Sequence, residues 1–352
     1  MTTLSEDGSA TKDVSGHFRP TMREVAALSG ASLKTVSRVI NNEGGVSEVL
    51  VERVLKAAKV LDYHRNLSAS SLRRNDGKTK TIGLLLEDVS NPFSSALHRA
   101  IEDVARPRDV IVFAGSLDED PTRERELASA FAARRVDGLI VVPAGTDQSY
   151  LLTERRAGTA IVFVDRPPSL FDADTVVATN REGSRQATAH LIQYGHRRIA
   201  YIGDFATIYT GAERLAGYTE ALEFERIPVK QTLIRQGHHS SESAYQTLME
   251  MLSGADRPTA IFASQNFVTI GAIRALRECG LQHEIALVGF DDLPLADLLD
   301  PPVTMVTQDV SAMGALAAEL LFRRLDGDAG PSQHHVLATT LIPRGSGEIR
   351  PL

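Results

Sequence analysis

From Thr81 to the end of the chain, short apolar runs alternate with amphipathic segments, and no other feature of the sequence restricts the fold so tightly. The runs expected as strands are Ile82–Leu86, Val110–Phe113, Gly138–Val142, Ala160–Val164, Val176–Ala178, Ile199–Ile202, Ala260–Ala263, Ala286–Phe290 and Met305–Thr307. Between them, apolar residues at helical spacing predict helices over Ser94–Ala105, Thr122–Arg134, Arg181–Tyr194, Gly211–Leu222, Ser241–Leu252, Thr269–Cys279 and Val310–Leu325. Apolar strands that alternate with helices form parallel sheets covered on both faces. So many strands divide better into two doubly wound sheets than into one.

The first eighty residues read differently. A polar tail over residues 1–20, expected to be disordered, lacks the apolar core of a signal peptide, and no stretch of the chain approaches the roughly 18 apolar residues of a membrane helix. Three helical patterns follow over residues 21–64. Thr21 caps the first, with Glu24 as its capping-box partner, and Val25, Ala26 and Leu28 are its apolar positions. Gly30 breaks the pattern and Ser32 restarts it as an N-cap. Ser47 is the expected cap of the third, in which Val51, Val54, Leu55, Ala58 and Leu61 recur at helical spacing. Two short helices joined through Gly30 and Ala31 have helix-turn-helix spacing. That geometry alone fits either a plain helical hairpin or a DNA-binding unit.

Net charge sharpens the choice. The whole chain is at −7, which argues against a nucleic-acid partner, but residues 12–80 hold thirteen Lys and Arg against seven Asp and Glu. A basic head thus precedes an acidic body. The single Cys279 allows no internal disulfide.

The run Thr21-Met-Arg-Glu-Val-Ala-Ala-Leu-Ser-Gly-Ala-Ser-Leu-Lys-Thr-Val-Ser-Arg-Val-Ile40 closely resembles the DNA-binding headpiece of the lac repressor (LacI/GalR) family. Val46-Ser47, Arg53-Val54, Ala57-Ala58, Leu61 and Tyr63 continue the match, and the resemblance extends to about residue 345. It implies a small all-α helix-turn-helix headpiece with a hinge helix, followed by an α/β core of two doubly wound parallel-sheet subdomains like the periplasmic binding proteins. On it, residues 65–80 are hinge helix and linker, and 81–352 an effector-binding and dimerisation core. Its N-subdomain spans about 81–177 plus 310–336, and its C-subdomain about 178–307 plus 337–352.

The resemblance implies that Leu33 and Lys34 read base edges, that Thr35 and Arg38 contact bases or the adjacent backbone, and that Ser37 and Asn41 serve phosphates. Thr21 and Ser32 stand beside them at the starts of the two helices. In the hinge segment Asn66 caps, Ala69 and Leu72 share a face beside Arg73, and Leu72 is the residue that wedges into the minor groove. The family often carries Pro two residues after the Tyr that matches Tyr63; here His64-Arg65 follows, which implies a less rigid approach to the hinge.

No catalytic wording occurs in the body: no G-x-S-x-G, no Gly-rich phosphate loop, no metal-ligand spacing, and the pairs His238-His239 and His334-His335 read as surface residues. No enzyme activity, cofactor or metal is expected. Ligands of paired parallel sheets bind at the C-terminal ends of the strands. There stand Asp88, Asn91, Phe93, Asp165, Arg166, Arg214, Gln265, Phe290, Asp291 and Gln308, which resemble the family's sugar-contacting positions one by one. His239 lies where ribose-binding proteins place a stacking Phe. Two Arg forks and two carboxylates that cancel in charge suit a neutral polyhydroxyl compound, with Phe93 and Phe290 as apolar walls. Gln265 replaces the usual Asn and shortens the cavity, which leaves a pentose, a hexose or a cyclic polyol such as an inositol.

The implied protein is a cytoplasmic homodimer on pseudo-palindromic double-stranded operator DNA, most simply a repressor of carbohydrate or polyol genes, with no membrane partner. An activator of the same family, or a sugar carrier that binds no DNA, are the alternatives, and whether ligand releases or promotes DNA binding stays open.

Overall fold

A computed structural model describes residues 20–64, 78–254 and 256–352. The chain divides into two compact units at Lys78 and Thr79.

The first unit is all-α. Helices α1 (Met22–Ser29), α2 (Leu33–Ile40) and α3 (Glu48–Val60) close on a core of Val25, Val36, Val39, Val54, Ala57 and Ala58. Gly30 ends α1 in the left-handed region at φ 64°, where a side chain is strained, and a Cβ there would also meet the Arg53 guanidinium. The Glu24 carboxylate accepts from the Thr21 N–H at 2.6 Å, and Ser32 Oγ accepts from the Thr35 N–H at 3.1 Å. Two expectations fail. Ser47 stands at the N-cap of α3 but its hydroxyl makes no capping bond, and Leu28 and Leu55 are exposed, because a three-helix unit this small buries only one stripe of each helix.

The second unit holds two six-stranded sheets. In the first lobe β1 (Thr81–Leu86), β2 (Ile111–Ser116), β3 (Gly138–Val141), β4 (Ala160–Val164), β5 (Asp174–Ala178) and β11 (His334–Leu337) run in the order β11-β5-β4-β3-β1-β2, all parallel. In the second, β6 (Ile199–Ile202), β7 (Ile234–Arg235), β8 (Ala260–Ala263), β9 (Ala286–Phe290), β10 (Thr304–Thr307) and β12 (Thr340–Ile342) run β12-β10-β9-β8-β6-β7, with β12 antiparallel. Successive strand residues point to opposite faces, so Leu84 and Leu86 join Leu97 of α4 (Pro92–Ala105) and Met313 of α11 (Val310–Leu325). Leu85 turns instead toward Ala128 of α5 (Pro121–Ala133). The second lobe repeats this: Ile202 packs with Leu248 of α9 (Ser241–Ser253) and Ala272 of α10 (Asn266–Glu278), and Tyr201 with Leu191 of α7 (Asn180–Gln193) and Tyr218 of α8 (Tyr209–Phe224).

The chain passes between the sheets after β5, β10 and β11. Two of these passages are stitched together: the Thr339 N–H donates to Thr179 Oγ1 at 2.9 Å and the Thr179 N–H to the Leu337 carbonyl at 2.9 Å. Strands β7, β11 and β12 and helix α6 (Leu151–Arg156) were not predicted. All four are short, and the strands lie at sheet edges, where half-polar stretches such as His334–Leu337 show little periodicity.

Candidate functional site

Each lobe presents a carboxylate at the same topological place. Asp165 follows β4 and Asp291 follows β9, both with left-handed backbone (φ 69° and 65°). Each N–H donates to the neighbouring strand at 2.9 Å, to Val176 and Val306 respectively. The side chains around them differ.

In the first lobe the Arg166 guanidinium grips the Glu119 carboxylate through both terminal nitrogens, at 2.6 and 2.7 Å, and one of them also reaches the Pro143 carbonyl at 3.2 Å. Only its Nε is left without a hydrogen-bond partner, 3.4 Å from Asp165 Oδ2. Burial pushes the Asp165 carboxyl up to about 6, with Arg166 and Arg214 opposing the shift. Burial also raises Glu119, against the pull of Arg166.

In the second lobe Arg214 lies on α8. A Cβ on Gly217, one turn along, would strike the Arg181 carbonyl, so this glycine lets α8 press against α7, and the Ser184 hydroxyl bonds the Arg214 carbonyl across that contact. The guanidinium stacks on Phe290, 3.8 Å from the ring centroid, and donates to Asn180 Oδ1 at 2.7 Å, the Ser264 carbonyl at 2.7 Å and Asp291 Oδ2 at 2.9 Å. Gln308 Nε2 donates to Asp291 Oδ1, which leaves Gln308 Oε1 buried without a partner, and Ser264 Oγ likewise.

Three contacts cross between the lobes or line their border. Asn91, which caps α4 by accepting from the Phe93 N–H at 3.0 Å, also accepts from Asn266 Nδ2 at 2.6 Å. His239 sits between two carboxylates, Nδ1 at 3.1 Å from Asp204 and Nε2 at 3.1 Å from Glu87. The two carboxylates push it up to about 10, Asp204 contributing most.

Several expectations change accordingly. Arg166 does not offer a free fork, because Glu119 closes it. Phe290 is no cavity wall but a fully buried core residue beneath Arg214. Asp88 spends its carboxylate on the Ser90 N–H and hydroxyl at 2.8 and 2.6 Å. Phe93 packs half-buried on the first lobe's core. Gln265 caps α10 by accepting from the Phe267 N–H at 3.0 Å, and donates to the His238 carbonyl at 3.3 Å. His239 is an ion-pair partner rather than a free stacking ring. The four charges taken to cancel are joined by Glu87, Glu119, Asp204 and His239, so five carboxylates face three cations. Glu87, Glu119, Asn180, Asp204 and Asn266 were missed as site residues, although each stands within a few residues of a strand's C-terminal end.

Ligand atoms of Glu87, Glu119 and His239 lie within 4.8 Å of one another, a spacing a metal ion accepts. Here both Glu119 oxygens face Arg166 and both His239 nitrogens face carboxylates, which makes the trio an ion-pair network.

In the first unit, Ser32, Lys34 and Leu33 (47% exposed) open α2 toward solvent, with Thr35, Ser37 and Arg38 half-buried behind them. Arg38 is held by the Gly44 carbonyl, and Asn41 Nδ2 donates to Ser37 Oγ at 3.3 Å and Glu43 at 3.2 Å. Thr21 is exposed. Asn66, Ala69, Leu72 and Arg73 lie outside the described residues.

Residues 21–66 match the model for bacterial regulatory proteins of the lacI family, and residues 188–347 that for a periplasmic binding protein-like domain. The chain is 32% identical to the ribose operon repressor of Escherichia coli over 93% of its own length and 99% of that protein. It is also 32% identical to the transcriptional regulator DegA of Bacillus subtilis, over 94% and 98%. Among solved structures, the lac repressor dimer bound to operator and the anti-inducer ONPF superposes with a TM-score of 0.78 at 26% identity, covering 94% of this chain and 99% of that one. The regulator CelR in complex with cellobiose does so with 0.69 at 31% identity, covering 93% and 100%. The chain therefore belongs to the lacI family of bacterial regulatory proteins, which are DNA-binding transcription regulators and not enzymes.

Proposed function

We propose that this regulator is a repressor whose DNA binding is set by a small sugar or polyol held between the lobes of the second unit. The observation that carries the reading is the set of unspent polar atoms at the strands' C-terminal ends: Arg166 Nε, Gln308 Oε1 and Ser264 Oγ are buried without partners. Buried polar atoms demand hydrogen bonds, and a compound rich in hydroxyls supplies donors and acceptors together. The ligand named in the CelR complex, cellobiose, is of that chemistry.

DNA contact falls to Leu33 and Lys34 at the exposed start of α2, with Thr35, Ser37, Arg38 and Asn41 behind them and Leu72 as the minor-groove wedge. The chain acts as a homodimer on a pseudo-palindromic operator, consistent with the lac repressor dimer it superposes on. Ligand closes one lobe on the other, alters the dimer contact of the first lobe, and so changes how the two heads meet DNA. The work is done in the cytoplasm, where the DNA is; no helix among the described residues is long and apolar enough to cross a membrane.

A mobility shift with the purified chain on fragments upstream of its own gene tests this. Selective retardation relieved by a sugar or polyol is expected. Retardation that such a compound strengthens keeps the regulator and reverses the coupling, and no selective retardation at low salt overturns the reading.

A further inference from the structure

We infer that the ligand of the interlobe cleft carries a cationic amine beside its hydroxyls: an amino sugar or aminocyclitol rather than a neutral polyol. The inference rests on the effector reading above and narrows its chemistry.

The charges of the cleft are the starting point. Arg166 is committed to Glu119, and His239 to Glu87 and Asp204. Arg214 bonds Asp291 at 2.9 Å. Asp165 is what remains. It is more than nine-tenths buried, its carboxylate accepts no hydrogen bond among the described residues, and the nearest cationic atom is the Arg166 Nε at 3.4 Å. Across the cleft, the unpartnered Gln308 Oε1 is a second buried acceptor, on a side chain already tied to Asp291.

Closing the lobes over a neutral ligand would leave a carboxylate in low dielectric with no full counter-charge, which is costly. An ammonium group brings one positive charge and three donors, which answers both a bare carboxylate and an orphan amide oxygen. Two aromatic rings stand where such a group would pass: Phe205 (46% exposed) and Tyr209 (40% exposed), at the loop after β6 and the start of α8. Phe205 lies 6.3 Å from the His239 ring, and Tyr209 is within electrostatic reach of Asp165. Ring faces beside carboxylates are a recurrent setting for organic cations. The remaining hydroxyl-directed atoms, Arg166 Nε and Ser264 Oγ, still require a polyol frame.

The test uses the full chain and matched pairs: glucosamine with glucose, galactosamine with galactose, and an inosamine with its parent inositol, by calorimetry and thermal melting near pH 7. The amine of at least one pair is expected to bind about tenfold or more tightly than its neutral partner, and Asp165→Asn to erase that preference without lowering the melting temperature. Tyr209→Leu, in an exposed position that the fold does not need, is expected to weaken the amine more than the neutral compound. Equal or tighter binding of the neutral member in every pair that binds overturns the inference and leaves the polyol effector standing. So does an amine preference that survives Asp165→Asn. If no member of any pair binds, the polyol reading fails as well, and the inference with it.

Discussion

Asp165 and Asp291 occupy one topological position in two copies of one fold, yet their surroundings oppose each other. Asp291 is answered by Arg214 and Gln308, whereas beside Asp165 the lobe's own arginine turns away to Glu119. The second lobe thus arrives with its polar groups bonded and the first with a carboxylate still unmatched. Strand order fixes where a side chain stands, but whether it is free for a ligand depends on what the next loop supplies. The loop after β2 supplies Glu119 to the first lobe, and the second lobe has no described counterpart to it.

The largest effect should come from breaking the matched side. Arg214→Ala strands Asp291 and uncovers Phe290, and a cost of about 3–5 kcal/mol in urea unfolding is expected, with loss of ligand-induced thermal stabilisation. On the first lobe, Glu119→Gln keeps the shape but leaves the Arg166 guanidinium without its counter-charge. About 2 kcal/mol is expected from the same measurement, with a ligand shift that is altered rather than abolished. The junction itself is probed by Asn266→Ala, which removes the 2.6 Å bond to Asn91 and should cost about 1 kcal/mol while leaving the DNA-binding unit's own unfolding unchanged.

The smallest effect has the opposite sign. Asp165 titrates at about 6 in the fold against an ordinary 3.8, so between those values the folded chain holds a proton that the unfolded chain releases. Stability contributed by this group therefore rises as pH falls from about 6 toward about 4. Asp165→Asn should remove that slope and raise unliganded stability at pH 7.5 by about 1 kcal/mol, whereas Asp291→Asn should lower it; melting temperatures of both variants across pH 4–8 decide the matter. Equal responses would erase the distinction between the lobes.

Much of this architecture was legible in the sequence. Strands β4, β6, β8 and β9 and helix α11 fall where apolar runs and helical spacing put them, because buried parallel strands and long amphipathic helices carry strong periodic signals. The edge strands β7, β11 and β12 were not legible, since so few residues carry no period. Within the cleft, reading one polar cluster after each strand located Asp165, Arg214 and Asp291, yet skipped the loop after β2 and so missed Glu119. Partnership was the harder matter: sequence shows that Arg166 is near the cleft, but only side-chain geometry shows its fork closed. The stack of Arg214 on Phe290 was hidden for the same reason, because an aromatic at a strand end reads equally as core or as cavity wall.

The account's central claim is that the basic head reads DNA while the acidic body reads a polyol. Its most direct test is anisotropy of the full chain on an operator fragment selected from its own genome, titrated with salt and then with the compounds above. Selective binding that weakens steeply with salt, falls on Lys34→Ala and changes on adding ligand is the expected result. Binding equal on every fragment, or binding to which no polyol, amine-bearing or neutral, makes a difference, would contradict it.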